Sequence, residues 1–488
     1  MIQGLRELRG APFAVILVAT ALIASPVAPT GSRVALAASP AAPLSPRSVH
    51  HEVLPNGLEV LLLPEPQRDV VSVQIWYRVG LPEEDSETAG YAHLLEHLMF
   101  TGTETVPDFR GAITDLGGTL RSGPRRDLTY YANDVPRSAV EAVIALEADR
   151  MRGLTLATEA IAGGLDQIRI EEARSAALLG SEAVAEQMWE ATYAGHPYGR
   201  EFAGMVPAGA TPERCRAFYA RYYGPDRACL VVAGGFELAP LLEAIQEHFG
   251  PLQPTGNPRS PLPASPGASD LKLRHAGDES AAPVWIGLGY AVPGEESPAA
   301  APVRLLDSYF NGEAADSLAI ALRQGELAAA SAVAAYLDYL DGAGLLTVVA
   351  ALKPGADAER ALDQLAHAVA RLSQAPIDRE DFATVRDRRR LSQALRGATV
   401  SQRASELAVG YLHGCGLEAQ ARADSSLLAV QPADIAQIAG NYLRPEQAVA
   451  LRVRPFPGGS GAAGREAGLQ GAGSSDPPIT PPVNEGSE

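Results

Sequence analysis

The sequence is poor in three features, each of which would define a class of protein. It has three cysteines in 488 residues, too few for a disulfide framework and without the spacing of a cysteine zinc cluster. Cys215 and Cys229 could pair in an oxidising compartment, but two buried thiols fit equally well. Its formal net charge of −18 excludes the basic surface that nucleic acids or anionic membranes require. No uninterrupted apolar run reaches the ~18 residues of a membrane span, so we expect a soluble mature protein.

The first forty residues have the layout of a secretory signal peptide. Arg6 and Arg9 precede the uncharged segment 11–28, and the small-residue sequence Ala-Leu-Ala follows at 35–37. We therefore predict a signal peptide over residues 1–37 and a mature protein that is periplasmic or secreted. An uncleaved N-terminal anchor is the alternative that these flanks leave open.

Low-complexity segments divide the rest of the chain into two parts of domain size. Residues 38–49 are rich in Ala and Pro, residues 251–270 in Pro and Ser, and residues 456–488 in Gly, Ser and Pro. None of them contains enough apolar side chains to pack, so we expect disordered ends and a central linker. The predicted domains are therefore residues 50–250 and 271–455.

The two predicted domains resemble each other in sequence. The segment from Thr211 matches the segment from Gln431 at a constant offset of 220, as a capped helix, a proline turn and an apolar strand. The segment from Ile75 matches the segment from Ile286 at an offset of 211. An internal duplication explains both matches. Strand and helix patterns without a regular βαβ alternation predict an α+β fold, in which each unit has a largely antiparallel sheet with helices packed on it.

The sequence HLLEH at 93–97 places three polar side chains on an otherwise apolar helix. His93, Glu96 and His97 fall within an arc of about 100°, and leucines occupy the opposite side. Two imidazoles one turn apart can bind one Zn²⁺, and the carboxylate between them is close enough to accept a proton from metal-bound water. The pattern predicts metal-assisted hydrolysis with Glu96 as general base, against the alternative of two ordinary partly buried histidines. The duplicate reads RLLDS at 304–308, so it lacks the motif.

A catalytic zinc needs a third protein ligand, which we expect from a later helix. Glu172 continues the buried stripe of Ile161 and Ile168, whereas Glu171 falls on a more polar stripe. A carboxylate on an inward face needs a partner such as a metal. We therefore predict Glu172 as the third ligand and place Glu171 beside the site or in solvent.

These segments resemble the pitrilysin/insulysin family of zinc metallopeptidases, whose motif is the inverted zinc sequence HxxEH. The resemblance is carried by GYAHLLEHLMFTGT, LPNGLEVLLLP, LGGTLRSGPRRDLTYYANDVP and GHPYGREFAG, and it covers about residues 50–455. It implies one zinc per chain, bound by His93, His97 and Glu172. It also implies that Glu96 is the general base of an endopeptidase acting on peptides or small unfolded proteins.

Two departures from the family lie in the first half. Leu165 stands where members often have a second glutamate, seven residues before the ligand glutamate. Arg121 and Ser122 stand where many members have Asn-Ala in the edge strand beside the substrate. We interpret these two residues as substrate contacts with an altered preference, and a solvated arginine is the alternative for Arg121.

A third departure lies in the second half, where members that grip the substrate have an arginine and, seven residues later, a tyrosine. Arg323 can be matched, but Ala329 or Ala330 replaces the tyrosine, and a methyl group donates no hydrogen bond. Short bacterial relatives are often pairs in which one subunit holds zinc and a second homologous subunit supplies these contacts. We predict the zinc-bearing catalytic subunit of such a pair; the alternative is a weak or inactive scaffold subunit. His413 has no ligand spacing and is expected to be exposed or capping.

Overall fold

The computed structural model describes most of the chain between the two predicted disordered ends. The described residues are 49–177, 181–202, 205–263, 274–276, 284–311, 328–374 and 377–453. The predicted signal peptide, the tail at 456–488 and Arg323 lie outside them. The limits proposed above for the domains and the linker stay predictions.

The described residues form two separate sheets, one in each half of the chain. The strands of the first are β1 (His50–Val53), β2 (Glu59–Pro64), β3 (Val70–Tyr77), β4 (Thr119–Pro124), β5 (Thr129–Pro136) and β6 (Ala228–Gly234). Their order is β1-β2-β6-β3-β5-β4, and only the β2–β6 pairing is parallel among these strands. β4 therefore lies at an edge of the sheet.

The second sheet repeats this largely antiparallel pattern. Its strands are β7 (Arg274–Ala276), β8 (Trp285–Val292), β9 (Ala330–Leu340), β10 (Ala343–Leu352) and β11 (Val449–Val453). Their order among the described residues is β7-β11-β8-β10-β9, with one parallel pair, β7–β11. Helices pack on both sheets, so the predicted α+β class is confirmed.

Helices are interspersed with the strands in both halves. Those of the first half are α1 (Tyr91–Leu98), α2 (Phe109–Asp115), α3 (Val140–Arg152), α4 (Thr158–Ala177), α5 (Ser181–Thr192), α6 (Pro212–Tyr222) and α7 (Leu238–Phe249). Those described in the second half are α8 (Ala300–Phe310), α9 (Ala358–Ala370), α10 (Arg379–Arg396), α11 (Val400–Leu412), α12 (Ala419–Ala429) and α13 (Pro432–Tyr442). None of the helices in the described residues is long and apolar enough to cross a membrane.

The duplication is visible in the helix positions. α6 and α13 both begin with proline, at the 220-residue offset seen in the sequence, and both lead into a buried strand. Proline at the first helical position has no N–H to leave unpaired, which favours a helix start there. The Thr211 side chain caps α6 by accepting from the Arg214 N–H, and Gln431 and Asp434 form a capping box on α13.

Each half packs one of its helices on the sheet of the other half, and this exchange of helices joins the two halves. α11 of the second half packs its Ala404, Leu407 and Ala408 against the first sheet, on a face that includes Trp76 and Val231. In the reverse direction, α5 of the first half packs on the second sheet through a set of buried apolar residues that includes Val184, Met188, Trp189, Val349 and Leu451. Each buried aliphatic side chain contributes about 1.5–3 kcal/mol, so both exchanged faces hold the halves together.

A buried charge cluster reinforces the junction between the halves. His413, at the end of α11, is 1% exposed, and its Nε2 lies 3.1 Å from Oδ2 of Asp127 in the first half. Its Nδ1 lies 3.8 Å from Oε2 of Glu295 in the second half. The expectation that His413 is exposed is therefore wrong, although the residue does stand at the C-cap position of α11, the other place expected for it. The helix exchange buries it, and this long-range packing is not visible in local sequence.

The three cysteines are free and buried. Of the two alternatives for Cys215 and Cys229, the structure has buried thiols rather than a disulfide. Burial raises the pKa of the Cys215 thiol to about 11, so the thiol is neutral and unreactive at neutral pH.

Candidate metal centre

The helix that contains HLLEH begins at a turn built from Gly90 and Glu84. Gly90 has φ +81°, which favours glycine, and a Cβ there would lie 2.5 Å from the Met205 carbonyl oxygen. The buried Glu84 carboxylate accepts the backbone N–H groups of Gly90 at 3.1 Å and of Ala92 at 2.8 Å. It thereby satisfies two of the unpaired donors at a helix start. Burial raises the pKa of Glu84 to about 7, although these N–H groups favour the charged form.

One side of α1 packs in the core and another faces α4. Leu94, Leu95 and Leu98 are fully buried in the core of the first half. On α4, Gly164 lies so close to α1 that a Cβ would be 2.9 Å from Cδ1 of Leu94 and 3.8 Å from Cβ of His97. The missing side chain thus lets the two helices approach closely.

This approach brings one carboxylate to both histidines. Oε2 of Glu171 lies 3.3 Å from Nε2 of His93 and 3.5 Å from Nε2 of His97. One ligand atom from each of the three side chains lies within 4.8 Å of the others. No other group of three or more such ligands occurs among the described residues. Two imidazole nitrogens and one carboxylate are the donor set of many catalytic zinc sites.

Two observations indicate that this donor set fits a metal. Nε2 of His97 is buried and has no hydrogen-bond partner among the described residues, and such a group is costly unless something binds it. Burial and the neighbouring His97 lower the pKa of His93. His93 is therefore a neutral imidazole at neutral pH, which is the form that coordinates metals.

Glu96 lies on the same helix, turned toward the edge strand β4. It is 7% exposed, and its Oε2 lies 3.8 Å from Nδ1 of His97. Its Oε1 accepts a hydrogen bond from the hydroxyl of Ser122. This carboxylate is beside the ring of His97 without being part of the donor set, as a general base requires.

The predicted site residues have different outcomes. His93, His97 and Glu96 are brought together, and Ser122 joins them. Arg121 points elsewhere, with its guanidinium bonded to Asp134 and to Ser401 of α11, tying β4 to the second half.

The side chain of Glu172 lies outside the described residues, so its role as ligand stays a prediction. Sequence reasoning set Glu171 aside, yet the structure places it at the histidines. Gly164 was the available signal, because a residue seven positions later shares its helical face. Leu165, which lies on the same helical stripe as Ile161, Ile168 and Glu172, is only partly buried against the core.

The fold and the site define a class: a duplicated α+β protein in which, among the described residues, a zinc-type donor set occurs in the first half and not in the second. Family models agree with this description. Residues 59–205 match "Insulinase (Peptidase family M16)", and residues 209–389 match "Peptidase M16 inactive domain". The chain belongs to peptidase family M16, which confirms the resemblance to the pitrilysin/insulysin family.

One relative is similar in sequence, and two solved structures are similar in fold. An uncharacterized zinc protease of Mycobacterium leprae, ML0855, is 29% identical over 327 residues, covering 65% of this chain and 72% of the relative. A protease from Helicobacter pylori has the same fold, with a TM-score of 0.76 at 20% identity, covering 83% of this chain and 99% of that one. The periplasmic protease PqqL from Escherichia coli matches at a TM-score of 0.65 and 18% identity over 83% of this chain, which spans 47% of PqqL.

Proposed function

We propose that the protein is a zinc-dependent metalloendopeptidase that cleaves peptides or small unfolded proteins. The observation that carries this proposal is the convergence of His93, His97 and Glu171 beside Glu96. Membership of peptidase family M16 and similarity to proteins named as zinc proteases support it. The site holds one zinc through the two histidines and a glutamate, for which we propose Glu171 on the described geometry and keep Glu172 as the alternative.

Each residue of the site has a distinct task. Zinc, when bound, supplies a Lewis acid that lowers the pKa of water. His93 and His97 would hold it through ring nitrogens, and their spacing of one helical turn places both imidazoles on the same side of α1. The Glu96 carboxylate accepts a proton from the attacking water and then gives it to the leaving amine. The edge strand β4 lies against this helix and, among the described residues, has a strand neighbour on one side only, so its other side can pair with an extended peptide.

We also propose an exported location and a homologous partner subunit. Support for the location comes from the signal-like N-terminal sequence and from the periplasmic protease PqqL as a structural neighbour. Support for the partner comes from the span of this chain, which covers about half of PqqL and nearly all of its first half in a separate structure. The replacement of the substrate-binding tyrosine by Ala329 or Ala330 supports it as well.

The test begins with zinc content. Elemental analysis of the purified mature chain should find one zinc per chain, and the His93→Ala variant should have lost it. Glu96→Gln should keep the zinc but lose peptide hydrolysis, because an amide cannot accept the proton. Cleavage is measured on unfolded peptides, with and without candidate homologous subunits.

The same experiment tests the alternative function as a scaffold subunit. A wild-type chain that binds no zinc under metal-replete conditions would favour the scaffold. Full activity of the purified monomer would keep the peptidase and refute the obligate partner. Retained turnover in Glu96→Gln would refute the role of Glu96.

A further inference from the structure

The edge strand β4 is held from both of its faces. Successive side chains of a strand point to opposite faces, so Arg121 and Ser122 diverge. Arg121 bonds to Asp134 and to Ser401 of α11 on one face. Ser122 donates its hydroxyl proton to Glu96 of α1 on the other face. β4 thus connects α1 with the second half of the molecule.

The contact with Ser122 fixes how the Glu96 carboxylate is turned. The last torsion of a glutamate is broad, so an unrestrained carboxylate samples many orientations. Here Oε1 accepts from Ser122, and Oε2 is on the side of His97, 3.8 Å from its Nδ1. A general base must hold one oxygen free at a defined place, and this arrangement assigns the free oxygen to Oε2.

Ser122 is alone in this contact within the described part of the chain, where no other side chain donates a hydrogen bond to the Glu96 carboxylate. The next residue, Gly123, has no side chain, and Thr119 on the same strand is exposed. In family members with Asn-Ala at this place, an alanine has no hydroxyl to donate. The contact is therefore a property of this chain and not of the HxxEH motif.

We propose that Ser122 is a positioning residue for Glu96, which orients the carboxylate by its hydroxyl rather than binding substrate. This inference rests on the proposed function, because it gives Glu96 the role of general base. This role for Ser122 replaces its interpretation as a substrate contact. A positioning role affects turnover, whereas a substrate contact affects KM.

The kinetic test uses three variants on the same strand. Ser122→Ala removes the hydroxyl, Ser122→Thr keeps it, and Thr119→Ala is the matched control with its side chain in solvent. We expect Ser122→Ala to lower kcat about 10-fold, the lower end of the effect of groups that orient a metal site, with KM, zinc content and melting temperature unchanged. Ser122→Thr should restore kcat to within about 3-fold of the wild type. An unchanged kcat in Ser122→Ala, or a fall in kcat equal to that of Thr119→Ala, would overturn the proposal, and so would a change confined to KM.

A second measurement separates this inference from the proposed function. Absence of zinc and of cleavage in the wild type would refute the peptidase, and the contact is then judged by crystal structures of the wild type and Ser122→Ala. One carboxylate orientation at Glu96 in the wild type, and a different or divided one in the variant, would support the orienting role. The same orientation in both would overturn it, whatever the activity.

Discussion

Helices α1 and α8 occupy equivalent places in the two halves, yet their polar side chains have different kinds of partner. At the offset of 211, His93 and Glu96 of α1 correspond to Arg304 and Asp307 of α8. On α8, Arg304 donates to the carboxylate of Glu295 within its own half. Oδ1 of Asp307 accepts from Nδ2 of Asn311 at 3.1 Å. The second half therefore satisfies these groups with its own side chains.

In the first half, Nε2 of His93 lies 3.3 Å from Oε2 of Glu171 and Glu96 accepts from Ser122, but within the described part of the chain the second histidine of the motif has no such partner. Nε2 of His97 has no hydrogen-bond partner among the described residues, and Glu84, the counterpart of Glu295, caps the backbone of α1 instead of pairing with a cation. The two corresponding helices thus differ in what pairs with their polar side chains. In the second half the partner is the carboxylate of an internal ion pair, and in the first half we propose that it is a metal.

The largest effect is expected from the glutamate that completes the donor set. Glu171→Gln should remove the bound zinc and lower kcat/KM by more than about 100-fold, because losing a ligand exceeds the 10–100-fold cost of losing a group that supports one. Glu172→Gln is the matched control one position away, and it should keep one zinc per chain. Zinc content is measured by elemental analysis and cleavage with an unfolded peptide. The reverse result would assign the ligand to Glu172, as the spacing in the sequence predicts.

The second effect concerns the ion pair between Arg304 of α8 and Glu295, which stands where we propose a metal on α1. Arg304→Ala leaves Glu295 largely buried beside fewer positive charges, so we expect a loss of roughly 3 kcal/mol in the free energy of unfolding, with zinc content unchanged. His93→Ala is the equivalent change on α1. In the metal-free protein it should cost less than about 1 kcal/mol, since no ion pair to an arginine is broken. Urea unfolding of both variants in chelator measures the difference, and equal losses would contradict the comparison.

The sequence predicts the architecture better than the details of the site. The offsets of 211 and 220 predict two similar α+β halves, and the i, i+3, i+4 spacing of His93, Glu96 and His97 predicts one polar face on α1. These features depend on local periodicity, which a single sequence displays. The structure confirms the fold class and brings these three side chains together.

The remaining features depend on how distant segments approach each other. The face that α4 turns to α1 is set by Gly164, and a one-residue error in that face exchanges Glu171 for Glu172. The burial of His413 depends on the exchange of α11 between halves, which adds partners more than a hundred residues away in sequence. Neither helical periodicity nor motif spacing contains this information.

The equivalent glutamates Glu84 and Glu295 should give opposite dependences of stability on pH. Burial raises the pKa of Glu84 to about 7, so its ionisation opposes folding as pH rises from about 4.5 to 7. Burial also opposes the charge of Glu295, but His413 and Arg304 outweigh it and lower the pKa to about 2. Its stabilisation is therefore complete above pH ~4.5 and is lost as pH falls toward 2.

The pKa of about 7 for Glu84 and that of about 2 for Glu295 lie on opposite sides of the ordinary value of 4.5, and each difference corresponds to roughly 3 kcal/mol. Glu84→Gln should flatten the decline in unfolding free energy between about pH 4.5 and 7, and Glu295→Gln should flatten the decline below pH ~4.5, as measured by urea unfolding across that range.

His413 adds a third dependence of stability on pH. Burial lowers its pKa, but Asp127 and Glu295 outweigh this effect and raise the pKa to about 9. Its stabilisation is complete below pH ~6.5 and is lost as pH rises through 9, so Glu295→Gln should also reduce that loss, whereas Glu84→Gln should leave it unchanged. The same pH profile in both variants would show that the two glutamates have kept one common role since the duplication.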